Sequence, residues 1–268
     1  MMAEEPRVYA VERDAMGRVR LTRREFVAAG ATVAAVTVAG CSEDGEPRAL
    51  GAGTMEPASV EASGECRAIP AHLEGVTALA FTADGSRLAS GSADEDIKLW
   101  AIPDGAWLTT FTGHSAQVNG LALAPDATWL ASADDHGVVR VWSLSDGAEL
   151  ASREDHGGAV HTLAAAPDGT WLASAGSDAR VVLLAPPDFE RWEVLDGHER
   201  SVQAMVAGPD GSWLASAGYD KDIRMWAMPE SGALPDIPGI GTSVNALAVA
   251  ADGSWLAASG QGSDAVQI

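Results

Sequence analysis

From residue 76 to the end, short apolar runs of four to six residues alternate with polar breaks rich in Gly, Asp, Pro and Ser. The first round shows the plan. An apolar run at 76–81 (VTALAF) is followed by Ala83, Asp84 and Gly85, a second run at 87–91 (RLASG) and a polar break at 92–96. An alternating stretch at 97–100 (IKLW) then leads through Pro103, Asp104 and Gly105 to a fourth run at 107–111. Runs this short, bounded by turn formers, predict four antiparallel strands joined in a meander. No stretch beyond the first forty residues keeps a helical period long enough to compete.

The plan then repeats every 42 residues without insertion or deletion for five rounds. His72, His114, His156 and His198 mark it, with Ile240 in the fifth place. Trp100, Trp142 and Trp226 mark it again, with Leu184 and Ile268 in the remaining places. A fixed period of this length predicts stacked units, none of which can bury its apolar face alone. The fourth run varies most and carries Pro235 in its fourth copy, which suits an outer edge strand, since proline cannot donate to a ladder. The Ala-rich first run is placed innermost. Trp129, Trp171, Trp213 and Trp255 recur at the start of the second run and are expected to pack between units.

These residues resemble the WD-repeat β-propeller family, over roughly residues 66–268, and the phrasing APDGTWLASAG is similar to bacterial members. The resemblance implies an all-β propeller of four-stranded blades. It also implies a hydrogen-bonded His, Ser, Asp and Trp tetrad within each blade. Two sets are complete: His72, Ser90, Asp94 and Trp100, and His198, Ser216, Asp220 and Trp226. The second unit has His114, Ser132 and Trp142, but His136 stands where Asp is expected; the third has His156, Ser174 and Asp178 with Leu184 for Trp. The fifth has Ile240, Ala258, Gly262 and Ile268. These departures put the rigidity of units two, three and five in doubt.

Propellers of this family close by lending an N-terminal strand to the last blade, and residues 65–70 (ECRAIP) match the fourth run shifted by one period. A closed five-bladed ring is therefore expected, within the range of about four to eight blades. A fragment of a larger, seven-bladed protein is the alternative.

Residues 1–40 read as an export signal. Arg23 and Arg24 resemble a twin-arginine motif, an apolar run at 27–39 is too short to span a bilayer, and Cys41 ends a lipobox-like sequence. Cys41 is then the expected lipid attachment site. Residues 41–64 have the composition of an acidic tether and 65–268 that of the propeller. An exported protein held to the envelope membrane by its lipid follows as the expectation. Cys66 is left without a disulfide partner.

The chain carries 38 Asp+Glu against 17 Lys+Arg, a formal net charge of −21. Such a surface repels nucleic acid and anionic headgroups. Asp recurs in one turn per unit, so part of the acidity is architecture. No nucleophile elbow, P-loop, CxxC or HExxH motif is present. No catalytic residue, metal or cofactor is assigned. His136 and His161 near Asp134 and Asp135 are the weak metal alternative, attached to a second reading as a small-ligand or hydrolytic propeller.

A protein or peptide partner is expected on the face that carries the loops before the first and after the second strands, the common platform of the resembling family. The position after the first-strand Val reads Thr77, Asn119, His161, Gln203 and Asn245. The position before the turn Asp includes Asp135, Ser177 and Tyr219, of which Tyr219 is the favoured anchor.

Overall fold

The computed structural model describes residues 69, 71–102, 104–228, 232–237 and 241–260. The twin-arginine pair, Cys41, the tether, Cys66, Ile240, Gly262 and Ile268 lie outside the described residues. The fold is all-β, with antiparallel sheets in repeated blades. Blade one comprises β1 (Val76–Phe81), β2 (Arg87–Ser92), β3 (Ile97–Ala101) and β4 (Trp107–Phe111). Blade two comprises β5 (Val118–Leu123), β6 (Trp129–Asp134), β7 (Val139–Ser143) and β8 (Glu149–Arg153). Blade three comprises β9 (Val160–Ala165), β10 (Leu172–Gly176), β11 (Val181–Ala185) and β12 (Glu190–Leu195). Blade four has β13 (Val202–Ala207), β14 (Trp213–Gly218) and β15 (Ile223–Ala227), and blade five has β16 (Val244–Val249) and β17 (Leu256–Gly260). In each blade the strands pair in chain order. The fourth strand of blade four is reduced to bridges at Ala233 and Ile237, on either side of Pro235, which has no N–H to donate.

The turn between the first and second strands of every blade is built on one carboxylate. Asp84, Asp126, Asp168, Asp210 and Asp252 each accept the backbone N–H and the hydroxyl of the Ser or Thr two residues on, at 2.6–3.1 Å. The Thr82 hydroxyl, then the Ser86 N–H and hydroxyl, hold the Asp84 carboxyl down to about 2. A fair share of the acidity is therefore turn chemistry.

The innermost strands pack in sequence: β1 on β5, β5 on β9, β9 on β13 and β13 on β16. Each contact buries one apolar cluster. Between blades one and two, Ala89, Ile97, Leu99 and Phe111 meet Val118, Leu121, Leu123 and Trp142. Trp129 stacks edge-on against Phe189 of blade three at 5.3 Å, and Trp171 donates to the Gly211 carbonyl of blade four at 3.3 Å, so these two of the recurring indoles pack between blades. Among the described residues, packing of this extent does not continue from β16 to β1. The outer face of blade one leaves Val76, Leu79 and Phe81 at 48%, 38% and 50% exposure. Of the expected closing segment only Ile69 is described. A Cβ on Gly105 would meet Ile69 Cδ1 at 2.7 Å, so Ile69 lies on the β3–β4 turn of blade one. Phe111, one period later, lies beside Gly147 in blade two.

Candidate functional site

The loop face is built from the tetrads outward. In blade one His72 Nδ1 lies 2.9 Å from Asp94 Oδ1, His72 Nε2 lies 2.8 Å from Ser90 Oγ, and Trp100 Nε1 donates to that oxygen at 2.9 Å. Blade four repeats this with His198, Asp220, Ser216 and Trp226 at 2.7–2.9 Å. An ionised carboxylate only accepts, so Nδ1 carries the proton; a neutral ring then leaves Nε2 to accept from the serine hydroxyl. Burial pushes His114 and His198 below the usual imidazole value, against the opposing pull of Asp134 and Asp220. That keeps both rings neutral at pH 7. For Asp94 and Asp178, burial raises the pKa. Their accepted bonds, led by the N–H of Leu73 and of Gly157, outweigh it and hold both below the ordinary carboxylate value.

Blade two corrects the sequence reading. Its tetrad is complete: Asp134, not a residue at position 136, faces His114 Nδ1 at 2.7 Å, with Ser132 and Trp142 in place. Asp134 is the last residue of β6, two positions before the expected one, and its other oxygen accepts from His136 N and Val138 N at 3.0 and 2.9 Å. His136 is displaced to the surface, 3.3 Å from Ser115 Oγ. The backbone turn is the one the other blades make: Glu95, Gly137, Ala179 and Lys221 all have positive φ and donate to Ser92, Asp134, Gly176 and Gly218 O at 3.2–3.3 Å, so it is the Asp134 side chain, at the end of the strand, that reaches the histidine. In blade three, His156, Ser174 and Asp178 keep their bonds, and Leu184 fills the indole position fully buried. In blade five, Ala258 takes the serine position and is buried, so it leaves no polar orphan.

The polar column has a structural cause that period counting does not show. Every innermost strand breaks register at one residue: β1 between Val76 and Ala78, β5 between Val118 and Gly120, and likewise in the other three. The skipped residues are Thr77, Asn119, His161, Gln203 and Asn245. A bulge releases its residue from the in–out alternation and re-aims the side chain. The strand behind it approaches so closely that a Cβ on Gly176, Gly218 or Gly260 would meet a carbonyl oxygen of the facing loop at 1.9–2.2 Å.

The column residues do two things. Thr77 Oγ1 donates to Val118 O, and Asn119 Nδ2 donates to Val160 O at 3.3 Å, so each ties its blade to the next innermost strand. Asn119 also donates to Asp135 Oδ1 at 2.6 Å, while His161 Nε2 lies 2.9 Å from Ser177 Oγ. Burial lowers His161 below the usual imidazole value despite the attraction of Asp135. Gln203 turns to Ser201 Oγ at 2.8 Å, and Asn245 is exposed.

The second row is fixed by backbone. The N–H groups of Ala93, Asp135, Ser177 and Tyr219 donate to the carbonyls of Gly75, Gln117, Ala159 and Ser201 at 2.8–3.1 Å, one bond per blade. Tyr219 presents its side chain at 41% exposure from this rigid position. Column and row thus share one end of the blades. Asn119 with Asp135 and His161 with Ser177 meet directly, whereas Thr77 turns to the Gly91 and Val118 carbonyls. Gln117 and Ser201 belong to the network and were missed, because they sit in the variable loops. Among the described residues no group of three or more His, Cys, Asp or Glu could hold a metal ion. Asp134, one of the four residues in the metal alternative, is already bound to His114.

Comparison with curated protein sequences gave no match. The family model described as WD domain, G-beta repeat, matches residues 64–101, 105–143, 147–183 and 190–227. Propellers of this kind commonly bind proteins or peptides and are typically non-enzymatic scaffolds. With four matched repeats covering more than half of its length, the chain belongs to the WD40 family.

Proposed function

We propose that this protein is a non-enzymatic interaction platform, exported and held to the envelope membrane through a lipid on Cys41, which binds a protein or peptide on the loop face. The supporting observation is the column of bulged polar residues from Thr77 to Asn245, set beside a backbone-fixed row that ends in exposed Tyr219. Rigid placement lowers the ordering cost of binding. An aromatic anchor beside hydrogen-bonding side chains fits a peptide better than a small molecule enclosed in a cavity. Export and lipidation rest on Arg23, Arg24 and Cys41 alone.

The test is affinity capture from native envelope with the wild-type chain and with a Tyr219→Ala, His161→Ala, Gln203→Ala triple variant. The variant loses the captured partner. Unchanged capture by a variant that melts like wild type overturns the assignment of this face.

A further inference from the structure

The outer strands carry a feature the loop face does not use. β4, β8 and β12 each break register, skipping Leu108, Leu150 and Trp192. These three bulged residues are exposed at 44%, 50% and 38%. Beside them stand Trp107, Glu149 and Arg191, again one period apart. Glu149 pairs with Arg140, Arg191 pairs with Asp155 at 3.2 Å, and both stay at the surface of blades whose faces are covered by neighbours. Exposure at this position therefore does not depend on a missing neighbour. In blade one it holds an indole, 61% exposed, with Nε1 donating to Thr110 Oγ1 at 3.1 Å.

Charge singles out the same strand. β4 (WLTTF) has no ionisable side chain, whereas β8 carries Glu149 and Arg153 and β12 carries Glu190, Arg191 and Glu193. Charged residues on edge strands normally blunt them against association. On a chain of net charge −21, β4 is an uncharged apolar strip. It is also where the chain enters the propeller: Ile69 lies on Gly105, two residues before Trp107. Of the five blades, the first is reached from Cys41 before any other.

We propose that Trp107 and Leu108 form a second contact surface that rests on the lipid headgroup region, orienting the anchored propeller. Indole rings favour the membrane–water interface, apolar body inward and N–H toward polar groups. The acidic remainder of the surface is repelled by anionic headgroups, which selects a zwitterionic surface. This inference rests on the reading of Cys41 as the lipid site, and its test is made independent of that reading.

The full chain with an N-terminal histidine tag is tethered to phosphatidylcholine vesicles that contain nickel-chelating lipid and brominated acyl chains. Tryptophan emission is compared with non-brominated vesicles. Bromine quenches wild-type emission. Leu108→Glu, which keeps Trp107 but undocks it, and Trp107→Phe, which removes the one of nine tryptophans placed at the bilayer, both return quenching to the control level. Both side chains are exposed, so unchanged melting temperatures verify the fold. Quenching absent in wild type, or as strong in both variants as in wild type, overturns the proposal. So does loss of an envelope protein partner in Trp107→Glu without any vesicle quenching, which would make the surface a protein contact. Membrane fractionation of Cys41→Ser in cells tests the anchor separately.

Discussion

Blades one and two follow one plan, residue for residue at 42 positions' distance, yet differ in what covers them. Val118, Leu121 and Leu123 of blade two are buried against blade one, whereas their counterparts Val76, Leu79 and Phe81 are exposed. The tetrads make the same bonds in both, down to the 2.9 Å indole bond, although blade two draws its carboxylate from Asp134. The tetrad hydrogen bonds are thus internal to a blade, while apolar burial is a property of the stack. Stability should follow the same division.

The largest difference is expected in the apolar row. Leu121→Ala should cost about 2–5 kcal/mol in urea unfolding, and its exposed counterpart Leu79→Ala less than about 1 kcal/mol. Equal costs would mean that blade one is covered as fully as blade two.

Next come the tetrads. Asp134→Ala strips His114 Nδ1 of its acceptor and should cost about 1–3 kcal/mol, while His136→Ala should stay within about 0.5 kcal/mol. The reverse order would restore position 136 to the tetrad. Ser132→Ala orphans both His114 and the Trp142 indole, so it should exceed Ser174→Ala by about 1 kcal/mol, because Leu184 in blade three has no N–H to orphan.

Acid should reveal the buried rings. His114 and His198 titrate lower when folded than the ordinary value of about 6.5. The unfolded chain therefore takes up protons first. The stability from these two rings is complete above about pH 6.5 and is lost as pH falls from there toward their folded values. Melting temperature should drop between pH 7.5 and 5, and the drop should shrink in His114→Asn. A flat profile would contradict their neutral burial. The smallest effect is expected for Trp107→Glu, which should leave the unfolding midpoint within about 0.5 kcal/mol of wild type.

The period, the strands, two of the three complete tetrads and the triad of blade three were legible because each depends on residue type at a fixed spacing. Asp134 was not, because its side chain reaches the same histidine from the end of β6, a position one period from Ser92, Gly176 and Gly218, where no other blade holds a carboxylate. The polar column was legible as a pattern but not as a set of bulges, since a skipped residue leaves no mark on a sequence whose spacing stays constant. Its role in stitching Thr77 and Asn119 to the next blade was hidden for a related reason: the acceptors Val118 O and Val160 O are backbone atoms, which residue identity does not encode. The outer bulges at Leu108, Leu150 and Trp192 were passed over for the same cause.

The most direct measurement is hydrogen exchange by mass spectrometry on the captured complex, compared with the free chain. Binding on the loop face predicts protection confined to 135–138, 177–180 and 219–222, with the opposite turns around Asp84, Asp126, Asp168 and Asp210 unchanged. Protection of those opposite turns, with the loops exchanging as in the free chain, would contradict it.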